Sequence, residues 1–578
     1  MNNNIKLCHR KLYNLDSLSK LDIPDFLKEI YSKRGIQNPN DLNYEIKNLL
    51  PFNKLFGINK AVDIIVESLY LKNKFMIIGD FDVDGATSIT LIVLLLRKFG
   101  SNDVNFLVPN RYLDGNGLSS TCIEQAACKN IDLIITVDLG INSHESIILA
   151  HKKGIKVIVT DHHIPDSKIQ YADAVVNPNL YNCKFSSKFL SGVGVAFYLM
   201  LAVLYKLKKL NWFKKHKIDI PKLTDFLDLV AIGTIVDMVP FDLNNRILVY
   251  NGLQHIRAGL CRIGILALIK FLKFDISSIS TNDISFFIGP MLNAAGRIDN
   301  METSIYLLLT EDINYAKILI KKLDKLNKER IEINKKMQIE SFNTCNKIIN
   351  FEKKTPVCFV LYDKTWHQGI VGIVSSKIKN IFNRPNIILA PYDKKFLKGS
   401  GRSINGFNIY QALDKLNTKY PGIICSFGGH KLAIGLKIHK SKFIDFCNSF
   451  KYITNMMIDK KYLTKIVWSD GILNDQDICL KTAEIIRDNG PWGQNFPEPL
   501  FDGYFLLINY KIIKNKHLKL ILKSINNNCI FYGIVFDIDK KFWETNLVKV
   551  VKITYKLQVN KFNNINKLQL LICNIWPY

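Results

Sequence analysis

The chain has no C-x-x-C pair: its twelve cysteines are scattered over 578 residues, and the nearest two are Cys122 and Cys128. That spacing excludes a zinc ribbon and offers no disulfide framework, so reduced thiols and a cytoplasmic location are expected. The N-terminal stretch MNNNIKLCHRKLYN lacks the apolar core of a signal peptide. Long hydrophobic runs are missing too. The uncharged run through Ser191–Tyr205 falls short of the roughly 20 residues that span a bilayer, and reads as a buried helix. No membrane contact is expected. Acidic residues are in deficit, with 51 Asp and Glu against 78 Lys and Arg, a net charge of +27. The excess fits a polyanion-binding protein. Richness in Lys, Asn and Ile runs along the whole chain, however, as compositional drift would also produce, so charge alone decides nothing.

What is present is an ordinary globular composition, 48% hydrophobic and 22% charged, in a chain long enough for three or four domains. Residues 1–70 read as short helices. From 71 to 265, short apolar runs alternate with helical patterns: FMIIG, VNFLVPN, DLIITVD and KVIVT mark strands of a parallel sheet covered on both faces. SGVGVAF, a GxG without a third glycine, reads as close helix packing. Residues 266–350 hold a loop-like motif, GPMLNAAGRIDN, and a connector helix with Leu319, Leu323, Leu326, Ile333 and Met337 on one stripe. Residues 351–455 form a smaller α/β unit, and 462–578 alternate as a β-barrel does, for instance in HLKLILK and LVKVVKITYKLQV.

The stretch GDFDVDG places Asp80, Asp82 and Asp84 within five positions at the end of a strand. Such close carboxylates repel, and a cation resolves the conflict. Asp138 ends the third strand, Asp161, His162 and His163 follow the fourth, and Asp237 interrupts the apolar LVAIGTIVDMVP. An aspartate after a strand is usually a helix cap. Coincidence at three strand ends, where ligands collect in such sheets, instead indicates a site. Carboxylates favour Mg²⁺ or Mn²⁺, and a histidine tilts the choice to Mn²⁺. So many carboxylates would balance two ions rather than one, with Asp138, central in the sheet, as the bridging ligand.

The motifs GDFDVDG, TVDLG and VTDHH, in this order, resemble those of the DHH phosphoesterase superfamily. LNAAGR, WHQGIVGIV, GSGRS, FGGH and GPWGQNFPEPLF are similar to its RecJ branch, the single-strand-specific exonucleases. The resemblance implies a parallel-sheet DHH domain and a smaller DHHA1 domain joined by a long helix, followed by a C-terminal OB-fold. It further implies Asp82, Asp84, Asp138, His162 and Asp237 as metal ligands, with Asp80 assisting. Asp138, His162 and His163 are the expected catalytic group, although whether His163 meets metal, a ligand or phosphate stays open. Arg111, Arg297, Ser400 and Arg402 match positions that hold the DNA terminus and its 5′-phosphate, and His430 faces the cleft. The implied activity is 5′→3′ hydrolysis of single-stranded DNA to mononucleotides with two Mn²⁺ or Mg²⁺ ions, in repair and recombination. A single-strand-binding protein and a helicase are the implied partners of a monomer. Two positions depart from the pattern. Phe81 stands where tyrosine is common, and Asn116 where an aromatic is usual, which would remove a stacking contact worth roughly 1–3 kcal/mol. A phosphodiesterase for short oligonucleotides or cyclic dinucleotides would share the metal site, but the barrel and the length argue against it. A non-catalytic DNA scaffold would lack ligands that are present here.

Overall fold

The computed structural model describes residues 5–577 except 14, 112–116, 167–170, 515, 539, 546–547 and 563–564. Asn116 therefore lies outside the described residues.

Apolar runs with no polar alternation must be covered on both sides, and those at Phe75–Gly79 and Leu133–Val137 are buried throughout. They pair in parallel at the heart of a five-stranded sheet. The other strands are Val104–Leu107, Lys156–Thr160 and Ala174–Val176, and the spatial order is second, first, third, fourth, fifth. Alternate strand residues pack against helices Val83–Lys98 and Gly192–Lys209 on one face, and Ser120–Cys128 and His144–Lys152 on the other. In this order the chain reverses direction between the first and third strands. That opens a crevice at their carboxyl ends. The uncharged run lies in the buried helix Gly192–Lys209, and no helix among the described residues is long and apolar enough to cross a membrane.

Before the sheet come helices Asp25–Ser32 and Ile58–Tyr70 and several single turns. There is also a strand that the sequence pattern did not suggest. Ile5–His9 pairs in parallel with Lys465–Ser469, just ahead of the barrel. A five-residue strand whose partner lies far along the chain leaves no periodic signature of its own.

GPMLNAAGRIDN is not a loop. Gly289–Ile298 is a helix, entered from a π-helical turn at Ile284–Ile288. Pro290 sits in the first turn, where a missing amide costs no bond. Gly296 is no helix breaker here but a point of contact, since a Cβ on it would lie 1.9 Å from the Phe81 carbonyl oxygen. The connector helix runs over Ile313–Glu352, 40 residues and thus about 60 Å. Ala316, Leu319 and Leu323 join the core of the first domain, whereas Met337 and Cys345 join a core with Phe359, Trp366 and Val374 of the second. One rigid rod thereby fixes both domains.

The second domain is a five-stranded sheet of Phe359–Tyr362, Asn386–Pro391, Phe396–Arg402, Ile424–His430 and Ala433–His439, with Ile424–His430 on its edge. Helix Val371–Phe382 covers one face, and Ile409–Lys419 and Phe443–Met457 cover the other. Strands Phe501–Ile513, His517–Ser524, Ile530–Val535, Val550–Phe562 and Ile565–Pro577 close a barrel. All twelve cysteines are free thiols. The α/β, DHHA1-like and barrel expectations for the fold hold.

Candidate metal centre and the basic cleft facing it

The crevice at the sheet's carboxyl edge gathers the predicted acids. Asp82 caps the helix Val83–Lys98, its Oδ1 accepting the amides of Asp84 at 3.0 Å and Gly85 at 3.2 Å. The cap and ligand readings of this residue are therefore compatible, because a carboxylate has a second oxygen. Asp84 is buried in the first turn, and its oxygens accept the amides of Gly192 at 2.6 Å and Val193 at 2.9 Å. SGVGVAF is thus more than close packing, since its backbone holds a site carboxylate. A Cβ at Gly192 would also lie 2.5 Å from the Asp138 Cβ.

Asp138 follows the middle strand with φ +59°, a left-handed conformation that Asp tolerates better than most residues. Its Oδ1 lies 3.1 Å from His162 Nε2, and that nitrogen lies 3.7 Å from Asp237 Oδ2 and 3.9 Å from Asp84 Oδ2. Oxygens and ring nitrogens converge in three groups: Asp80, Asp82 and Asp138; Asp84, His162 and Asp237; and Asp138, His162 and His163. Within each group the donor atoms lie within 4.8 Å of one another. Asp138 and His162 each belong to two of the three. Asp80 Oδ1 and Asp138 Oδ1 are buried, and no hydrogen bond from the described residues reaches either.

This concentration of charge shifts the acids strongly. Burial, then the charge of Asp82, pushes Asp80 up to about 7. Burial, then Asp237, pushes Asp84 up to about 7. Burial with Asp84 and Asp82 raises Asp138 well above the usual carboxylate range, and burial raises Asp237. Buried oxygens without donors and carboxyls that resist ionisation fit a divalent cation site, and the oxygen-rich set with one imidazole suits Mg²⁺ or Mn²⁺.

His163 is oriented from behind. Its Nδ1 lies 2.7 Å from Asp161 Oδ1, which also accepts the amides of His162 and His163 at 2.7 and 3.0 Å. Burial works against the imidazole's proton, but Asp161 outweighs it and raises His163 to about 10. Burial likewise works to raise Asp161, and His163 brings it down to about 2. Asn177 and Asn179 donate to the carbonyls of His163 and His162 at 2.9 and 2.6 Å. Neither asparagine stands out in the sequence.

Beside the acids and on the wall facing them the charge is reversed. The Arg111 guanidinium lies over the Phe81 ring, 4.6 Å from its centroid, so the tyrosine hydroxyl missing at this position is not needed for the contact. Arg297 Nη1 donates to the Gly369 carbonyl at 3.3 Å, in the WHQG turn of the second domain. Arg402 Nη1 donates to Ser400 Oγ at 2.8 Å and to the Gly401 carbonyl at 2.9 Å. Burial, then Arg111 and Arg330, lowers Arg297 to about 9, with Arg402 adding to the repulsion and Asp82 opposing it. Four guanidinium groups that repel one another beside a carboxylate site make a receptor for an anion. Arg330 lies on the connector helix among lysines and glutamates, and nothing in the sequence sets it apart from them. Exposed His430, on the edge strand, accepts the Leu432 amide at 3.3 Å. Desolvation, then Arg402 and His163, holds its imidazole below the ordinary value.

Sheet, acidic edge and facing second domain together define a protein of the DHH class. Residues 74–234 match the family model "DHH family, N-terminal domain", 354–455 the "DHHA1 domain" and 469–574 the "RecJ OB domain". The chain belongs to the RecJ family, being 44% identical over 556 residues to the single-stranded-DNA-specific exonuclease RecJ of Escherichia coli (strain K12), with 96% of each chain covered. The RecJ of Bacillus subtilis (strain 168) is 31% identical over 528 residues, covering 90% of this chain and 63% of that protein. Among solved structures, RecJ of Thermus thermophilus in complex with Mn²⁺ superposes with a TM-score of 0.82 at 25% identity, covering 100% of this chain and 80% of that one.

Proposed function

We propose that this chain is a metal-dependent exonuclease specific for single-stranded DNA, cutting in the 5′→3′ direction and releasing mononucleotides. One observation carries the reading: three groups of donor atoms overlap at Asp138 and His162, whose Oδ1 and Nε2 lie 3.1 Å apart, and a cluster of arginines faces them. Asp80, Asp82 and Asp138 would hold one ion, and Asp84, His162 and Asp237 the other. Asp138, 3.1 Å from His162 Nε2, stands where the two sets meet and is the ligand we place between them. Two divalent ions bound there supply charge neutralisation and water activation for phosphodiester hydrolysis. Asp161 fixes His163 through Nδ1, so that its other ring nitrogen is available to the scissile phosphate. Arg111, Arg297 and Arg402 with Ser400 hold the terminal phosphate, and His430 borders the same cleft. The positively charged barrel grips DNA farther from the cut. Repair and recombination in the cytoplasm, beside a single-strand-binding protein and a helicase and as a monomer, is the setting that fits this substrate.

The test is a time course on 5′-labelled single-stranded and duplex DNA with Mn²⁺ or with EDTA. Immediate release of labelled mononucleotide from the single strand alone, only with metal, is the expected result. Label retained while the strand shortens would reverse the polarity, and equal loss from duplex would remove the strand specificity.

A further inference from the structure

The helix Gly289–Ile298 touches the acidic loop at two backbone atoms. Asn293 Oδ1 accepts the Val83 amide at 3.1 Å, and Gly296 leaves room for the Phe81 carbonyl, where a Cβ would stand 1.9 Å from the oxygen. Val83 opens the helix that Asp82 caps. Of the leading amides, those of Asp84 and Gly85 are taken by Asp82 Oδ1, and that of Val83 is taken by Asn293. Left open, the Val83 amide would need another acceptor, in a residue that stands between Asp82 and Asp84 in the chain. A neutral amide side chain at 293 satisfies it without adding a fourth negative charge beside Asp80, Asp82 and Asp84. The same helix carries Arg297, bonded to the Gly369 carbonyl of the second domain. One short rod therefore sets the acidic loop against the opposite wall.

We propose that Asn293 is a positioning residue of the metal site. It keeps Asp82 and Asp84 in register for divalent ions, touching neither ion nor DNA itself. The inference rests on the metal-dependent reading above.

The experiment uses the full chain with Asn293→Ala, Asn293→Asp and Asn293→Ser. Mn²⁺ binding is titrated by electron paramagnetic resonance without DNA, and oligonucleotide binding and the melting midpoint are measured in EDTA. Alanine should weaken Mn²⁺ binding about 10-fold, near 1.4 kcal/mol, while DNA binding in EDTA stays within about twofold of wild type. Serine, whose hydroxyl is too short to reach the Val83 amide, should behave as alanine does and serves if alanine does not fold. Aspartate keeps an acceptor in place and adds a negative charge beside the site, so its Mn²⁺ affinity in EDTA-free buffer should be at least that of wild type and not fall as alanine's does. Wild-type Mn²⁺ affinity in the alanine or serine variant overturns the proposal. So does a parallel loss of melting temperature and DNA binding in all three variants, which would mark Asn293 as general support for the fold. A wild-type chain that binds no Mn²⁺ overturns the metal reading itself, and the two failures are told apart by that control.

Discussion

Lys398 Nζ donates to the backbone carbonyl of Arg111 at 3.1 Å, tying a strand of the second domain to the loop that leaves the parallel sheet. Arg111 in turn lies over Phe81, between Asp80 and Asp82. The arginine is thus held from both walls of the cleft. Replacing Lys398 by methionine keeps the apolar stem and removes the donor. We expect KM for a 5′-phosphorylated strand to rise about 3- to 10-fold with kcat little changed, the loss of one bond to a charged group in a half-exposed place. A fall in kcat with unchanged KM would show that Lys398 serves the reacting centre and not the anchor.

Asp138→Ala should abolish hydrolysis and leave DNA binding nearly intact. The residue is shared by two donor groups, whereas strand grip comes from arginines and the barrel. Turnover and equilibrium binding are measured on one oligonucleotide. A variant keeping more than about a tenth of the rate, a barrier change under 1.4 kcal/mol, would take Asp138 out of the bridging role.

The metal-free protein should become less stable as pH rises. Asp80 and Asp84 sit at about 7 when folded, against roughly 3.9 when unfolded. Between those values the folded chain binds more protons than the unfolded one, so stability falls with rising pH. His163, raised to about 10, acts with the same sign: its contribution is present below roughly 6.5 and is lost as pH approaches the folded value. The check is the melting midpoint in EDTA between about pH 5 and pH 8, taken as the difference between wild type and Asp80→Asn. Mn²⁺ should restore more stability at the alkaline end, because binding displaces those protons. Wild type should lose stability relative to Asp80→Asn as pH rises, and a wild type that instead gains on the variant with rising pH in EDTA would contradict the shifts.

Asp80, Asp138 and Asp161 were legible because each follows an apolar run read as a buried strand, and the sheet edge brings such positions together, whereas Asp237 follows the helix Leu227–Val236. The groups that steady them were not legible. Asp84 is held by the amides of Gly192 and Val193, and a backbone amide has no signature in a side-chain pattern. Gly289–Ile298 reads as a loop because glycine and proline punctuate it, yet Pro290 falls in the first turn and Gly296 against Phe81, where each fits a helix. Arg330, on the long helix, joins the basic group only through its charge beside Arg297, far from it in the chain. The strand Ile5–His9 exists only through its partner Lys465–Ser469. What depended on spacing along the chain could be read, and what depended on contact between distant segments could not.

That N-terminal strand leads to a stability prediction. Asp470 is wholly buried and takes both Arg34 terminal nitrogens, Nη2 at 2.9 Å, while Arg10 Nε lies 3.7 Å from it. Removing the carboxylate by Asp470→Ala leaves a buried guanidinium without its counter-charge. Such a break costs about 3–5 kcal/mol. Denaturant unfolding should show that loss, accompanied by protease sensitivity at the N-terminus. A loss below about 1 kcal/mol would mean that water reaches Arg34 readily.

Direction of cutting is the property that shared ions cannot set, since a symmetric pair would serve a strand arriving from either end. Arg402 stands on the opposite wall with its guanidinium already aligned by Ser400 Oγ and the Gly401 carbonyl. Gly372 approaches it so closely that a Cβ there would lie 3.3 Å from Nη2. A planar fork held in this way suits a terminal phosphate, and charge-assisted bonds of this kind contribute about 1.5–3 kcal/mol. Arg402→Ala should therefore lower activity on 5′-phosphorylated strands roughly 10- to 150-fold. Strands ending in a 5′-hydroxyl, which never used the contact, should lose much less. The measurement is a two-by-two comparison of both enzymes on both ends of one sequence. An equal loss on the two substrates would assign Arg402 to the fold or to the general DNA path, and the terminal anchor would then have to be sought at Arg111 or Arg297.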